Sequence, residues 1–139
     1  MKIYCCGCKK EVNARLTNGD EIYRNRKGRL FLAFTPFWKC DKCKNYVGIH
    51  KNSKYKKPLG VIPTQQIRRA RQFIHKELDS LWQEGHFKRR EIYEKISKEL
   101  GYKYHTAWLK DIEEARKVYK IILKIKKGIE DENNTQKRV

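Results

Sequence analysis

What the chain lacks narrows its function before any motif is considered. No apolar run approaches the ~20 residues of a membrane-spanning helix. No hydrophobic leader precedes the first cysteines. Met1 is followed almost at once by Cys5, which predicts no signal peptide and a reducing cytoplasmic setting. Acid is also scarce. Only 16 Asp+Glu face 34 Lys+Arg, a formal charge of +18, with a pI near 9.8. Such a balance does not specify a fold. It does bias partners toward polyanions, nucleic acid being the commonest and an anionic membrane surface the competitor. The catalytic signatures are thin as well: there is no P-loop, no Rossmann glycine pattern and no nucleophile elbow.

The acid deficit is uneven. Residues 1–62 hold 15 Lys+Arg and 4 Asp+Glu, a net +11, whereas residues 63–139 hold 19 and 12, a net +7. The second half can spend much of its charge in pairs along helix surfaces. The first half cannot, so a polyanion partner belongs first to it. Its acids, Glu11, Asp20, Glu21 and Asp41, offer little to a metal-dependent nuclease, which needs clustered carboxylates or a histidine site.

What the first half does have is cysteine. Cys5-Cys6-Gly7-Cys8 and Cys40-Asp41-Lys42-Cys43 are two C-x-x-C pairs with 31 residues between them. Four thiolates from two such pairs suit one tetrahedral structural zinc ion, a closed site that contributes directly to folding. The expected ligands are Cys5, Cys8, Cys40 and Cys43, with Cys6 able to take the place of Cys5. Two disulfides or a redox pair are the alternatives, and no βαβ pattern surrounds either pair to support the latter. The spacer exceeds the usual ~15–20 residues, but loop-closure entropy grows only logarithmically with length.

Read in order, Val12–Thr17 predicts a short strand and Asn18-Gly19 a tight turn, with Glu21–Arg24 pairing back. A second turn follows over residues 25–29. Leu30-Phe31-Leu32-Ala33-Phe34 is a continuous apolar run suited to a buried central strand. Thr35-Pro36 breaks it, Phe37-Trp38-Lys39 leads into the second cysteine pair, and Asn45–Ile49 supplies a last strand. This is a three- or four-stranded antiparallel ribbon over residues 1–50. Residues 51–62 form a basic connector.

A helical unit occupies residues 63–128. Thr64 is the expected N-cap of a first helix carrying Ile67, Ala70, Ile74, Leu78, Leu81 and Trp82, stopped by Gly85. A second helix runs from about Lys88 to Leu100, with Gly101 as its stop. A third begins near Thr106, lines up Trp108, Leu109, Ile112, Ala115, Tyr119, Ile122 and Ile125, and ends at Gly128. Residues 129–139 are polar and aperiodic, a disordered tail. The expected fold is α+β, an N-terminal antiparallel zinc ribbon packed against a C-terminal three-helix unit. A helix-turn-helix over the last two helices is disfavoured by the long 101–105 turn and by Asp111, Glu113 and Glu114, which repel phosphate.

The candidate nucleic-acid contacts are Arg24, Arg26, Lys27 and Arg29 at the hairpin tip, then Lys51, Lys54, Lys56 and Lys57 in the connector. Tyr55 is placed among the connector lysines to stack on a base. Arg68, Arg69 and Arg71 extend the set. Cations near a helix N-terminus oppose the helix dipole, which argues for an anionic partner there. A solvated linker is the plain alternative for residues 51–62. Of the four histidines, His75 and Asp79 stand at i, i+4 and could pair as base and orienter, although such pairs are more often structural. A metal site drawn from His50, His75 and His105 is one route to nuclease chemistry.

These stretches together resemble a family of small phage and prophage proteins known as a zinc-finger-containing domain of unknown function. The likeness rests on Cys40-Asp41-Lys42-Cys43 leading into Tyr46-Val47-Gly48-Ile49-His50, then Lys57-Pro58-Leu59-Gly60. It continues through Ile67-Arg68-Arg69-Ala70-Arg71, His75, Leu81-Trp82, Lys88-Arg89-Arg90, Tyr93, Leu100-Gly101 and His105. The first cysteine pair departs from it, having Cys-Cys-Gly-Cys where a proline is common. The resemblance implies zinc and a phage origin and carries no activity. The leading expectation is therefore a non-enzymatic zinc-ribbon protein that binds DNA or RNA. The second is a phage effector that binds and inhibits a host protein, of anti-defence or anti-CRISPR type, with Phe37, Trp38 and Tyr55 as anchors. The third is a metal-dependent nuclease.

Overall fold

The structure is a computed structural model and describes residues 1–23 and 30–137, with side chains through residue 132. It is α+β and divides into two compact units, Met1–Arg68 and Arg69–Val139.

The first unit holds two small antiparallel sheets. β1 (Lys2–Cys5) pairs with β2 (Lys10–Asn13), placing Ile3 opposite Val12 and Cys5 opposite Lys10. β3 (Arg15–Asn18), β4 (Pro36–Lys39) and β5 (Tyr46–Gly48) form the second sheet with β4 central, so that Leu16, Trp38 and Val47 align across it. The single strand expected over Val12–Thr17 is interrupted at the buried Ala14, and its two pieces serve different sheets. The core joins Ile3, Cys5, Ala14, Trp38, Cys40, Val47 and Ile62, so two of the ribbon's sulfurs are themselves core residues.

The spacer departs most from expectation. Asn18 does not open a hairpin turn. Its side chain accepts the Asp20 N–H and caps a single helical turn, α1 (Gly19–Ile22). Glu21 is therefore helical rather than part of a return strand. The apolar run is not a central strand either: it forms α2 (Leu30–Ala33), leaving Leu30 65%, Phe31 68% and Phe34 82% exposed. The reason is competition for one buried place. Pro36–Lys39 occupies the middle of the sheet and buries both Phe37 and Trp38, which leaves no central position for the run that precedes it. Gly19 has no substitute, since a Cβ there would lie 1.5 Å from the Leu32 carbonyl oxygen.

Residues 51–62 belong to the first unit. Ile62 bridges in parallel to Cys5, and Pro58 bridges to Ile49. The Cys6 N–H reaches the Ile62 carbonyl at 2.8 Å, and the Ile62 N–H reaches Tyr4 at 2.9 Å.

α3 (Gln65–Gln83) starts as its sequence predicts, with Thr64 Oγ1 accepting the Ile67 N–H at 3.1 Å. α4 (Arg89–Leu100) stops at Gly101, whose φ of +83° is the left-handed cap that favours glycine. The last helix differs at both ends. Residues Thr106–Trp108 form a 3-10 turn, and α5 starts only at Ile112; it then passes through Gly128 to Lys137. Gly128 thus fails as a stop, and residues 129–137, expected to be a disordered tail, are helical. Trp108 sits in the 3-10 turn, is 51% exposed and does not join the apolar stripe. The second unit has its own core from α3, α4 and α5, centred on Leu78, Leu81, Ile92, Ile96, Leu109, Val118 and Ile122.

Candidate metal centre and basic surface

Both cysteine pairs fold into the same turn. The residue after each pair donates its N–H back to the first cysteine: Lys9 to Cys5 and Lys44 to Cys40, each at 2.8 Å. Closing the turn puts both lysines in the left-handed region, at φ +56° and +65°, a conformation that costs a non-glycine residue roughly 1–2 kcal/mol. The amides of Gly7 and Cys8 turn toward the Cys5 sulfur, and those of Lys42 and Cys43 toward that of Cys40. Gly7 is required by proximity rather than by φ. A Cβ there would sit 2.7 Å from Asn45 Nδ2 and 3.2 Å from Cys43 Sγ. Asn45 meanwhile donates to Cys43 Sγ at 3.2 Å.

These two turns bring Cys5, Cys8, Cys40 and Cys43 together, with all four Sγ atoms within 4.8 Å of one another. Cys5 and Cys43 are 3.2 Å apart, and Cys8 and Cys40 3.7 Å. A tetrahedron of sulfurs at Zn–S ≈ 2.3 Å has edges of about 3.8 Å, so the cluster is sized for one zinc ion. Cys6 is outside it, which resolves the choice of ligand in favour of Cys5. No disulfide links the five cysteines.

The thiols are tuned unequally. Burial pushes Cys5 up to about 12, against the pull of the Cys8 and Gly7 amides. The hydrogen bond with Cys40, aided by burial, raises Cys8. Burial also opposes ionisation of Cys40, but the Cys43 and Lys42 amides outweigh it and bring that thiol down to about 7. Of Cys5, Cys8 and Cys40, it is Cys40 that most readily meets a metal as thiolate. Four thiolates around Zn²⁺ leave a net −2, next to Lys9, Lys42 and Lys44 in the chain.

The arrangement defines a four-cysteine zinc-ribbon class of site. A family model described as a zinc-finger-containing domain matches residues 1–127, and the chain belongs to that family. No curated protein and no solved structure matches it.

Among the described residues the four thiols are the only gathering of metal-ligating side chains, and none containing His50, His75 or His105 is found. Burial lowers the pKa of His75, partly countered by Asp79.

The nucleic-acid candidates fare differently. Arg24, Arg26, Lys27 and Arg29 lie outside the described residues. Lys51, Lys54, Lys56 and Lys57 are all exposed, and Tyr55 is 80% exposed with the Lys54 ammonium 5.7 Å from its ring centre. This segment is a built loop rather than a slack linker. His50 N–H donates to the Lys57 carbonyl at 2.9 Å, Lys57 N–H to Ser53 Oγ at 2.8 Å, and Trp38 Nε1 to the Lys56 carbonyl at 2.8 Å.

Arg68 is occupied elsewhere, donating to the Tyr46 carbonyl with its guanidinium 4.1 Å from that ring. Arg71 holds the Leu109 carbonyl at 2.8 Å. Arg69 alone of the three is exposed. Phe37 and Trp38, expected as interface anchors, are buried. Sequence reasoning missed the clamp from Trp38 to the lysine loop; its one visible signal was a tryptophan just ahead of the second cysteine pair.

Proposed function

We propose that the protein is a non-enzymatic zinc-ribbon protein that binds nucleic acid through a basic surface. The observation that carries this reading is the loop of residues 51–57: four exposed lysines around a tyrosine 80% open to solvent, on a backbone held by the ribbon's own hydrogen bonds. A pre-ordered loop loses little entropy on binding. Lysines that meet phosphates release counterions, and an exposed ring stacks on any base. The surrounding sequence adds no competing charge. From Lys42 to Lys76 there are ten Lys+Arg and no Asp or Glu. The four zinc-bound thiolates remove only two units from the net +11 of residues 1–62. Replacing Lys51, Lys54, Lys56 and Lys57 together by Gln tests the reading, with affinity for DNA and RNA oligonucleotides as the readout. Affinity is expected to fall and its salt dependence to flatten; an unchanged affinity removes the loop from the interface.

One observation favours a second reading. Leu30, Phe31 and Phe34 form an exposed apolar ridge on and just after α2, of the kind that anchors a protein partner. The resemblance to phage and prophage proteins would make that partner a host protein. Capture from host lysate that survives nuclease treatment and is lost on Phe31→Ser with Phe34→Ser would support it; capture lost with nuclease would return the case to nucleic acid.

A further inference from the structure

The second unit carries a cationic surface that the ribbon does not explain. Residues 115–129 of α5 contain six Lys+Arg and no Asp or Glu. At 100° per residue, Arg116, Lys117, Lys120, Lys124 and Lys127 fall within an arc of about 100°, and all five are exposed. The opposite side of α5 carries Ala115, Val118, Ile122 and Ile125, of which Val118 and Ile122 are fully buried.

A solvated helix face usually alternates its charge signs. This one repeats the same sign at i, i+4 (Arg116, Lys120, Lys124), an arrangement that weakens an isolated helix by about 0.2–0.5 kcal/mol per pair. Two acids of the unit are paired with cations off the stripe. Glu77 takes Lys126, which lies off the stripe, and Glu94 takes Arg90. Of the stripe only Lys124 has a partner, Glu99 at 3.7 Å; among the described residues Arg116, Lys117, Lys120 and Lys127 form no salt bridge.

We propose that this face of α5 is a second nucleic-acid contact, one that binds the phosphate backbone of a duplex. The inference rests on the nucleic-acid reading above and extends it to the second unit. From Arg116 to Lys127 the row spans about 16 Å, alongside a duplex that carries one charge per ~1.7 Å of axis. The stripe has no aromatic side chain to stack on an unpaired base, which distinguishes it from the Tyr55 loop. Membrane insertion is disfavoured by burial, since Val118 and Ile122 on the apolar side of α5 are already consumed in the core.

The test compares the wild type, the loop variant (Lys51, Lys54, Lys56 and Lys57→Gln) and a stripe variant (Arg116, Lys120, Lys124 and Lys127→Gln). Each is titrated against labelled duplex DNA over a salt series, and a stripe variant with the three lysines→Arg serves as the charge-conserving control. Far-UV circular dichroism checks folding. The stripe variant should show a log–log salt slope shallower by about two to four and weaker duplex binding, while the Arg variant matches wild type. A stripe variant with the wild-type slope, alongside a loop variant that loses binding, overturns the stripe and leaves the loop reading standing. Wild-type protein that binds neither DNA nor RNA overturns both. Tighter binding to phosphatidylserine vesicles than to duplex, lost in the stripe variant, assigns the stripe to a membrane surface instead.

Discussion

Arg15 grips Asp41, the second residue of the second cysteine turn, through two parallel hydrogen bonds of 2.9 Å from Nε and Nη2. The same guanidinium holds Glu21 at 2.7 Å, and Glu21 also receives Lys39 at 2.8 Å. One cation from β3 and one from β4 thereby consume two of the four acids in residues 1–62. The pair also ties the zinc turn to the sheet. Arg15 holds the Asp41 carboxyl below its usual range and, with Lys39 and Thr17, that of Glu21 as well.

That tether should govern how fast metal leaves. Asp41→Asn or Arg15→Gln breaks an exposed pair, typically worth 0–1 kcal/mol. Zinc release to a colorimetric chelator should therefore accelerate about two- to five-fold, with stoichiometry unchanged. Complete loss of zinc would mean that the pair holds the fold and not merely the turn.

Cys6 separates geometry from cysteine count. Cys6→Ser should retain one zinc per chain by elemental analysis, whereas Cys8→Ser or Cys40→Ser should lose it. Zinc loss in the Cys6 variant would place Cys6 in the ligand set and displace Cys5.

Chelation should unfold one unit and spare the other. Cys5 and Cys40 are core members of the first unit, so metal removal withdraws the cross-link from the residues that pack there. The helical unit has a core containing no cysteine. Helical ellipticity should survive EDTA, while Trp38, buried in the ribbon, becomes exposed to a fluorescence quencher. Acid acts in the same direction. Cys5 and Cys8 have raised pKa values and are protonated at neutral pH without metal, so zinc binding releases at least two protons. Apparent affinity should rise by at least about 100-fold per pH unit near neutrality and fall as pH drops.

Trp38 links the core to the lysine loop. Trp38→Phe keeps most of the buried ring but deletes the donor to the Lys56 carbonyl, leaving a carbonyl to find water at a cost of about 1 kcal/mol. Nucleic-acid affinity should fall several-fold with zinc content intact. Tyr55→Ala should cost single-strand binding more than duplex binding, by about 1–3 kcal/mol if one base stacks.

The cysteine cluster and the long helices were legible because their signals are local: two C-x-x-C pairs, Thr64 as a cap, Gly101 as a stop. The spacer was not. Asn18-Gly19 carries the same letters for a hairpin turn and for a helix cap, and only the close approach of Leu32 to Gly19 decides between them. Leu30–Phe34 looked buried because it is apolar, yet the central place was taken by Pro36–Lys39, which pairs with Tyr46–Gly48 just across the cysteine turn and with Arg15–Asn18 on the other side of the spacer. Gly128 failed as a stop because α5 continues its apolar side beyond it at Ile129, which packs on the core. At the basic surface, sequence located the lysines but not their support. Arg68 and Arg71 were expected to meet an anion, and both are held by carbonyls of the chain itself.

The salt dependence of binding to labelled single-stranded RNA, measured on zinc-loaded protein, tests the central claim most directly. Four loop lysines on phosphates give an expected log–log slope of about −3 at ~0.7 per contact, with binding weakened once the metal is chelated. A flat slope, or binding that is indifferent to zinc, would contradict it.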